Sequence, residues 1–326
     1  MNIKGTPQRG LFGATLGFFI GFAAVALFGT TAQKLKDVMG LTPVMVGFLV
    51  AIPSLTGSLL RIPFAAWVDV TGGRKPMLIL LGLSILGMLG LTLTIYSFYP
   101  DRLTPGMYPL ILLLGALSGC GIATFSVGIS QASYWSPKAK QGSALGIYGG
   151  VGNLAPGIFT LILPLALTAA GLAGAYLIWL CLLILGTVGY YFTGLNAPYF
   201  QLCANGMSPE QARPAAAKLG QEIFPAGNIK DSLFLSAKVW KTWALTAIYF
   251  ASFGGFLAMT AWLPTYWKSF LGASAVTAGI LTATYSILTS LVRVWGGSLA
   301  DRLGGERTAM LALSVMLFGA LMLTLS

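Results

Sequence analysis

The sequence predicts an all-α polytopic membrane protein, and three observations carry that prediction. Charged residues make up 8% of the chain and hydrophobic residues 56%, whereas soluble proteins contain roughly 25% charged residues. Apolar stretches of about 20 residues or more, long enough to cross a bilayer as a helix, recur along the chain. The chain has no histidine, and its three cysteines form no CxxC pair. This composition excludes histidine-based catalysis, histidine proton relays and a cysteine zinc site, and it implies no cofactor.

Hydropathy and segment length predict nine membrane-spanning helices. They are expected at 10–33, 42–67, 76–99, 107–132, 140–168, 171–194, 240–267, 274–299 and 308–326. The first helix follows Lys4 and Arg9, which is also how a signal peptide begins. Its apolar run is longer than the core of a signal peptide, so we expect an uncleaved first helix.

The stretch 195–238 is the only long polar connection, and it divides the apolar segments into two groups. Within it, Ser208-Pro209-Glu210-Gln211 has the pattern of a helix capping box with proline at the first helical position. We therefore expect a short surface helix that ends near Gly220. The predicted organisation is a six-helix bundle over 1–194, a cytoplasmic linker, and a second bundle over 239–326.

Basic residues predict the orientation in the membrane. Of the 19 lysines and arginines, thirteen fall on the side that holds the N-terminus and four on the other side. This positive-inside bias predicts a cytoplasmic N-terminus. Because the basic residues are scattered between apolar runs, nucleic acid is not an expected partner despite the net charge of +11.

An internal repeat supports the two-bundle organisation. At an offset of 232 residues, Ser58-Leu59-Leu60-Arg61 aligns with Ser290-Leu291-Val292-Arg293. In the same register Asp69 aligns with Asp301. Each copy thus carries an arginine eight residues before an aspartate, in the second helix of its half. Parallel repeats of this kind are typical of transporters.

Arg61 and Arg293 fall within predicted spans, where an arginine costs roughly 2.5–3.5 kcal/mol to insert. A buried carboxylate is the usual partner, yet all eight acidic residues map to loops or helix ends. They are Asp37, Asp69, Asp101, Glu210, Glu222, Asp231, Asp301 and Glu306. One reading is that an anionic ligand supplies the missing charge, since a guanidinium donates paired hydrogen bonds that suit a planar oxyanion. The other is that each arginine snorkels to the interface or bonds backbone carbonyls.

The turn after each second helix carries a charged motif. The stretch from Gly297 to Arg307, with Asp301-Arg302 and Gly304 inside it, resembles the loop motif G-x-x-x-D-R-x-G-R-R of the major facilitator superfamily. The first copy departs from it at Ala65 and Val70. In that family the motif latches helices in one conformation. The resemblance implies a conformational latch formed by Asp69, Arg74, Asp301, Arg302 and Arg307.

Glycines recur every fourth residue at Gly142, Gly146 and Gly150, a spacing that lets helix backbones approach closely. The segment Gly149-Gly150-Val151-Gly152-Asn153-Leu154-Ala155 resembles the nitrate signature A-G-x-G-N-x-G of the nitrate/nitrite porter family. It differs from that signature at its first and last positions. The stretch Tyr249 to Gly254 is similar to the family's Tyr-x-x-x-Phe-Gly sequence.

The resemblance implies a site for nitrate or nitrite. Arg61 and Arg293 would hold the anion from the two halves, Asn153 and Tyr249 would donate hydrogen bonds, and Phe253 would shield it. Two glycines of the signature would bring the backbone close to the anion, and two further aromatic residues could complete the wall, although a mid-helix aromatic is more often a packing residue. The candidate substrate-binding residues are Arg61, Arg293, Asn153, Tyr249, Phe253, Gly150, Gly152, Phe28 and Phe125.

The implied fold is the major facilitator fold, with two pseudo-symmetric helix bundles. Members of that family have twelve spans, so this chain is expected to be truncated to about nine, without the second nitrate signature. Neither histidine nor a buried acid is available for proton coupling, which favours exchange of one anion for another. Rival functions are nitrate–proton symport, transport of another small anion such as formate, and a non-transporting anion sensor. An enzyme is not expected, because no nucleophile–base pair or metal set is present, and nothing requires more than a monomer.

Overall fold

Helices make up the architecture of the described part of the chain. The computed structural model describes residues 3–225, 234 and 236–325. Its helices are α1 Pro7–Phe22, α2 Ala32–Met39, α3 Pro43–Thr71, α4 Arg74–Phe98, α5 Tyr108–Gly119, α6 Thr124–Trp135, α7 Gln141–Thr193, α8 Pro198–Ala204, α9 Pro209–Lys218, α10 Trp240–Tyr249, α11 Gly255–Leu271, α12 Ala275–Leu303 and α13 Gly305–Leu325. Large apolar side chains such as Trp295 and Phe192 remain exposed around the outside, as expected where lipid covers the protein.

The predicted nine spans are confirmed as helices, with α7 containing two of them. Eight helical stretches in the described ranges are long and apolar enough to cross a membrane, and the stretch Lys138–Thr193 has 56 residues. An unbroken helix of that length would extend about 84 Å, far more than the roughly 30 Å hydrocarbon core. Gly171 breaks it with φ 66° and ψ −174°. The break falls at the predicted boundary between the fifth and sixth spans.

Three predicted helices are interrupted in a way that the hydropathy pattern did not indicate. The first is followed by a 3-10 turn at Ala23–Ala26 and then by the separate helix α2. A second 3-10 turn, Cys120–Ala123, separates α5 from α6. A π-helical segment, Phe250–Gly254, joins α10 to α11. Irregular backbone is tolerated at membrane depth only where protein or a polar cavity surrounds it. Both 3-10 turns are accordingly buried, and the π-helical segment buries Phe253.

The internal repeat is confirmed in the bounds of the helices. Helices α3 and α12 both contain 29 residues, and their ends are related by the same offset of 232 as the sequence motif. Thr42 and Ser274 cap their N-termini by accepting a hydrogen bond from the backbone three residues on. Both helices end at glycines with positive φ, Gly72 at 76° and Gly304 at 88°. Equivalent caps and stops give the two arginines equivalent places in the membrane.

The predicted surface helix of the linker is present as α9. Ser208 caps it by accepting a hydrogen bond from the backbone of Gln211, and the chain leaves it through Gly220 with φ 89°. A further short helix, α8, precedes it and was not predicted. Residues 226–233 and 235 lie outside the described residues, and Lys230 and Asp231 fall among them.

Candidate functional site

Two arginines and two aromatic rings form the centre of the candidate site. Arg61 of α3 and Arg293 of α12 approach the same pair of rings, Phe125 of α6 and Phe253 of the π-helical segment. Arg61 Cζ lies 4.9 Å from the Phe125 centroid and 5.2 Å from the Phe253 centroid. Arg293 Cζ lies 5.6 Å and 5.3 Å from the same centroids. The four groups come from four different elements, so the site exists only when both halves are assembled.

The rings give the cations partial compensation. Phe125 and Phe253 are stacked, with centroids 4.9 Å apart and planes 19° apart. A guanidinium near a ring face is attracted by the negative π-cloud, by about 0.5–2 kcal/mol depending on desolvation. That attraction stabilises a cation without donating or accepting a strong hydrogen bond. The guanidinium donors therefore remain available to a ligand.

Several polar atoms of the site are buried without a partner among the described residues. Arg61 Nε and Nη2 make no hydrogen bond, and neither does Oδ1 of Asn153. The Asn153 side chain is only 2% exposed. Leaving a buried polar group unpaired costs about 1–3 kcal/mol, and more for a charged group. Polar atoms that are buried without a partner are expected where a bound molecule or ion forms the missing hydrogen bonds.

Carboxylates do not compensate the two arginines in the described ranges. The Asp69 carboxylate accepts from the Tyr134 hydroxyl, and the Asp301 carboxylate accepts from the start of α7. The Glu222 carboxylate accepts from the backbone of Lys138. The prediction that the described acids lie at helix ends and loops is thus confirmed, and the arginine pair faces the rings of Phe125 and Phe253.

Gly149 allows Arg293 to lie against α7. A Cβ built on Gly149 would be 2.7 Å from Nε of Arg293 and 3.1 Å from its Cζ. The absence of a side chain there leaves room for the guanidinium against the helix. Sequence reasoning singled out Gly150 and Gly152 instead of Gly149, because the signature does not show which face of α7 turns toward Arg293.

The structure gives Gly150 and Gly152 packing neighbours. A Cβ on Gly150 would lie 2.9 Å from the carbonyl oxygen of Ser290 on α12, and the ring of Phe18 lies directly over Gly152. The expected contact of these two glycines with the anion stays a prediction. Close packing is confirmed for Gly142, Gly146 and Gly150, which all face α12.

The aromatic wall is larger than predicted, and its composition differs. Tyr249 stacks on Phe253 with centroids 4.9 Å apart, and its side chain is adjacent to Arg293. Phe18 and Phe22 of α1, which were not predicted, lie 5.0 Å and 6.3 Å from the Phe125 ring.

Tyr148 fixes one wall of the site. Its hydroxyl donates to the Phe125 carbonyl over 2.7 Å, and its side chain is fully buried. Tyr148 also stacks on Phe18 with centroids 5.0 Å apart. Phe18, Phe22 and Tyr148 were not predicted as wall residues. The only indication in the sequence is their spacing on helices that also carry small residues.

Phe28 was expected in the wall of the site, and its role in anion binding stays a prediction. Its ring lies over Gly115 of α5, where a Cβ would come within 2.6 Å of it. The 3-10 turn at Ala23–Ala26 ends the α-helical phase of α1, so residues before the turn, Phe18 and Phe22, take the inward positions. Phe28 packs in the core, with 1% of its side chain exposed.

Asp301 is the predicted latch residue whose carboxylate connects the second half to the first. Its carboxylate accepts from Gly142 N at 2.8 Å, from Ser143 N at 2.7 Å and from Ser143 Oγ at 2.6 Å. These amides belong to the first turn of α7, where backbone N–H groups lack helical partners and the helix dipole favours an anion. The latch thus joins the end of α12 to the start of α7.

The other predicted latch residues have different partners. Asp69 bonds Tyr134, and Arg74 donates from Nη2 to the Tyr191 carbonyl at 2.8 Å. Arg302 and Arg307 form no ion pair with the described residues, and both are exposed. The described residues also contain no group of three or more potential metal-ligating side chains.

Comparison with known proteins identifies the family of the chain. The family model described as Major Facilitator Superfamily matches residues 14–326. The chain is 30% identical over 305 residues to the probable nitrate/nitrite antiporter NarK1 of Thermus thermophilus, covering 92% of this chain and 62% of that protein. It is 26% identical to the probable nitrate transporter NarT of Staphylococcus epidermidis, covering 100% and 75%. It is 29% identical to the nitrate/nitrite transporter NarU of Salmonella typhimurium, covering 98% and 66%.

These figures mean that the chain spans between 62% and 75% of the length of these curated relatives. Among solved structures, the xylose transporter XylE from E. coli, in a partially occluded inward-open conformation, superposes with a TM-score of 0.64. That match has 17% sequence identity and covers 91% of this chain and 72% of the XylE chain. At this identity the likeness shows the fold.

Proposed function

The chain belongs to the major facilitator superfamily and is related to its nitrate/nitrite transporters, and from that premise we propose that it carries nitrate and nitrite across the inner membrane. Its halves, residues 1–194 and 239–326 joined by the linker 195–238, rock about the central site, with the N-terminus in the cytoplasm. The site then opens to one side of the membrane at a time. The chemistry of the arginine pair supports this proposal independently of the relatives' names.

The single observation that carries the proposal is the uncompensated guanidinium pair. Arg61 and Arg293 come from equivalent positions of the two halves and face the same two rings. Two permanent cations in a low-dielectric site repel each other, and a carboxylate does not contact either of them in the described residues. A bound monovalent anion would supply negative charge between them and would accept the free hydrogen bonds of Arg61.

The shape and chemistry of the site favour a small planar oxyanion. A guanidinium presents its donors in one plane, which matches the coplanar oxygens of nitrate and nitrite. The stacked rings of Phe125 and Phe253 provide flat walls. Turning the Asn153 amide about its last torsion would present Nδ2 as a donor at the buried position now held by Oδ1. Tyr249, adjacent to Arg293, supplies a hydroxyl on the same side.

We infer exchange of one anion for another as the transport mode. The bound anion neutralises the arginine pair and so permits the halves to close around the site. When the site is empty, the same closure would bring two uncompensated cations into a dry environment, which is costly. Because no histidine is present and the described carboxylates lie away from the site, a proton cannot readily replace the anion as the compensating charge.

The Asp301 latch supports alternating access at the other end of these helices. Three hydrogen bonds to the first turn of α7 hold the cytoplasmic ends of α7 and α12 together. Opening toward the cytoplasm requires that they break. Their replacement by water in the open state makes the latch reversible, since the carboxylate and the amides both become hydrated.

The proposal is tested with the purified chain in proteoliposomes loaded with nitrite. Isotope-labelled nitrate should enter these vesicles, and excess unlabelled nitrite should compete more strongly than equal formate. Arg102→Gln, which removes a basic residue on the opposite side of the membrane, serves as the matched control and should retain uptake. Formate uptake that exceeds nitrate uptake would contradict the substrate assignment. Saturable nitrate binding without any uptake would favour an anion sensor instead.

A further inference from the structure

Two adjoining cavities lie at the end of the bundle where α3 gives way to α4, which is the cytoplasmic end in the proposed topology. A cavity of about 290 Å³ has two basic residues in its lining, together with amide side chains and apolar residues; it is lined by Lys4, Arg74, Gly194, Leu195, Asn196, Phe200, Gln201, Ala204 and Asn205. A groove of about 380 Å³ continues from it along α4 and is lined by Lys75, Leu78 and Ile79. Arg74 and Asn196 border both spaces. The cavity forms a basic chamber, and the groove forms an apolar channel that leads away from it.

We propose that this paired cavity binds the phosphate headgroup of an anionic phospholipid, with one acyl chain along α4. Lys4, Arg74 and Lys75 contribute three positive charges, and neither cavity is lined by a carboxylate. Basic pockets at the cytoplasmic side of membrane helices are suited to anionic headgroups. This site is separate from the central arginine pair and goes beyond anion transport.

The donors of the pocket are held in place by bonds that leave their charges free. Lys4 is fixed through its backbone, whose N–H donates to Gln201 Oε1 at 2.9 Å and whose carbonyl accepts from Gln201 Nε2 at 2.8 Å. Arg74 is fixed by one bond from Nη2 to the Tyr191 carbonyl. Its Nε is buried without a partner among the described residues. The ammonium of Lys75 lies 5.8 Å from the Trp67 ring.

The surroundings fit a lipid better than a free phosphate ion. Ile79 faces outward with 36% of its side chain exposed, and Leu78 lies beside it in the groove. Tyr191 and Phe192, next to Arg74, are 53% and 75% exposed. Aromatic side chains at this level are typical of the membrane–water interface, where headgroups lie. A free phosphate would use the basic chamber and leave the apolar channel unoccupied.

Native mass spectrometry of the purified chain in neutral detergent tests the proposal. Phosphatidylglycerol should bind with at least roughly tenfold higher affinity than phosphatidylcholine with identical acyl chains. The exposed pair Lys4→Gln and Lys75→Gln should lower phosphatidylglycerol affinity by about fivefold per lysine. The charge-matched pair Lys138→Gln and Lys140→Gln, also exposed on the cytoplasmic side, should leave the affinity unchanged.

Three results would overturn the proposal. Equal losses in the two double variants would show attraction to overall surface charge. Equal retention of phosphatidylcholine would show that the headgroup charge is not recognised. Displacement of phosphatidylglycerol by inorganic phosphate at equal concentration would assign the chamber to free phosphate. Since all four lysines are exposed, unfolding is not expected, and the thermal midpoint of each variant checks this directly.

Discussion

The guanidinium groups of Arg61 and Arg293 are cations inside membrane-spanning helices, so their charge has to be compensated by contact with other groups. Their Cζ atoms face two shared rings at 4.9–5.6 Å, and the rings compensate only part of that charge. What distinguishes arginine here is the planar arrangement of its donors. A lysine at the same position would retain the charge but would not present two hydrogen-bond donors in one plane.

We therefore expect Arg61→Lys and Arg293→Lys each to lower nitrate transport by at least about 100-fold, because one good charge-assisted pair of hydrogen bonds is worth roughly 3 kcal/mol. Initial rates of nitrate uptake into nitrite-loaded vesicles measure the effect. Arg102→Lys is the matched conservative control and should transport normally. Full activity of Arg61→Lys would contradict the assignment of paired guanidinium hydrogen bonds to the anion.

Gly149 offers a test that leaves both arginines in place. Alanine at this position would put a Cβ 2.7 Å from Arg293 Nε, so the guanidinium has to move while the helix remains intact. Gly149→Ala should weaken nitrate binding by about tenfold or more, since small misplacements of charged groups are costly at a tight site. Gly82→Ala is the control, because no atom lies within 4 Å of the added carbon. Equal nitrate affinities in the two variants would remove Gly149 from the site.

The sequence predicted the arginines better than their surroundings. An arginine in an apolar span has few structural explanations, so Arg61 and Arg293 could be selected from composition and repeat alone. The aromatic wall depends on the rotational phase of each helix, and short 3-10 or π segments change that phase without altering hydropathy. For this reason Phe28 was expected in the wall, and Phe18 and Phe22 were missed.

Helices α7 and α12 pack along a seam made by small residues. Gly142 and Gly146 of α7 meet Gly297 of α12 so closely that backbone atoms are the neighbours of an added Cβ. Backbone cannot yield in the way that a flexible side chain can. Because α7 belongs to the first half and α12 to the second, this seam is where the halves must separate or rock.

Gly297→Ala should therefore destabilise the protein by about 1–3 kcal/mol through overpacking. Its neighbour Gly296 has no atom within 4 Å of an added Cβ, which makes Gly296→Ala a control in the same helix. Thermal unfolding in detergent should show a lower midpoint for the first variant and an unchanged or slightly raised midpoint for the second. A normal midpoint for Gly297→Ala would mean that the two helices are further apart than described.

Asp301 lies at the end of the same contact between α7 and α12, where its carboxylate accepts hydrogen bonds from the first turn of α7. Asp301→Asn removes the charge and one acceptor that face the first turn of α7, and interactions of this type contribute about 0.3–2 kcal/mol. Opening at the cytoplasmic end should become about threefold to tenfold more frequent. The readout is the labelling rate of a cysteine placed at Ser298, in a background lacking Cys120, Cys181 and Cys203.

The control for this prediction is Glu306→Gln, which removes an exposed carboxylate a few residues further along. Its labelling rate should equal that of the unaltered background. Slower labelling in Asp301→Asn would show that the carboxylate favours the open state, which would reverse the proposed role of the latch.

Helix positions were largely predictable because bilayer thickness fixes the length of an apolar span. The repeat even predicted that α3 and α12 end at equivalent places, since Gly72 and Gly304 both adopt positive φ. The short helix α2 was not predicted, because it begins where the predicted apolar span ends and its sequence, with Lys34, Lys36 and Asp37, is polar. The partners of Asp69 and Arg74 were not predictable either, since they depend on tertiary contacts with Tyr134 and Tyr191.

In the whole molecule, each half contributes one of the two positive charges that a bound anion has to neutralise. Each half brings one arginine and one large ring to the centre, namely Arg61 with Phe125 and Arg293 with Phe253. Neither half brings an acid to that site in the described residues. The charge is balanced only when an anion is present, so the site is expected to change the side to which it opens only when it is loaded.

That expectation is tested most directly by following labelled nitrate into vesicles that are either loaded with nitrite or empty, each with and without an inward proton gradient. Uptake should require internal nitrite and should change little with the proton gradient. Uptake into empty vesicles driven by the proton gradient would contradict the account, because a proton would then compensate the charge that we assign to the exchanged anion.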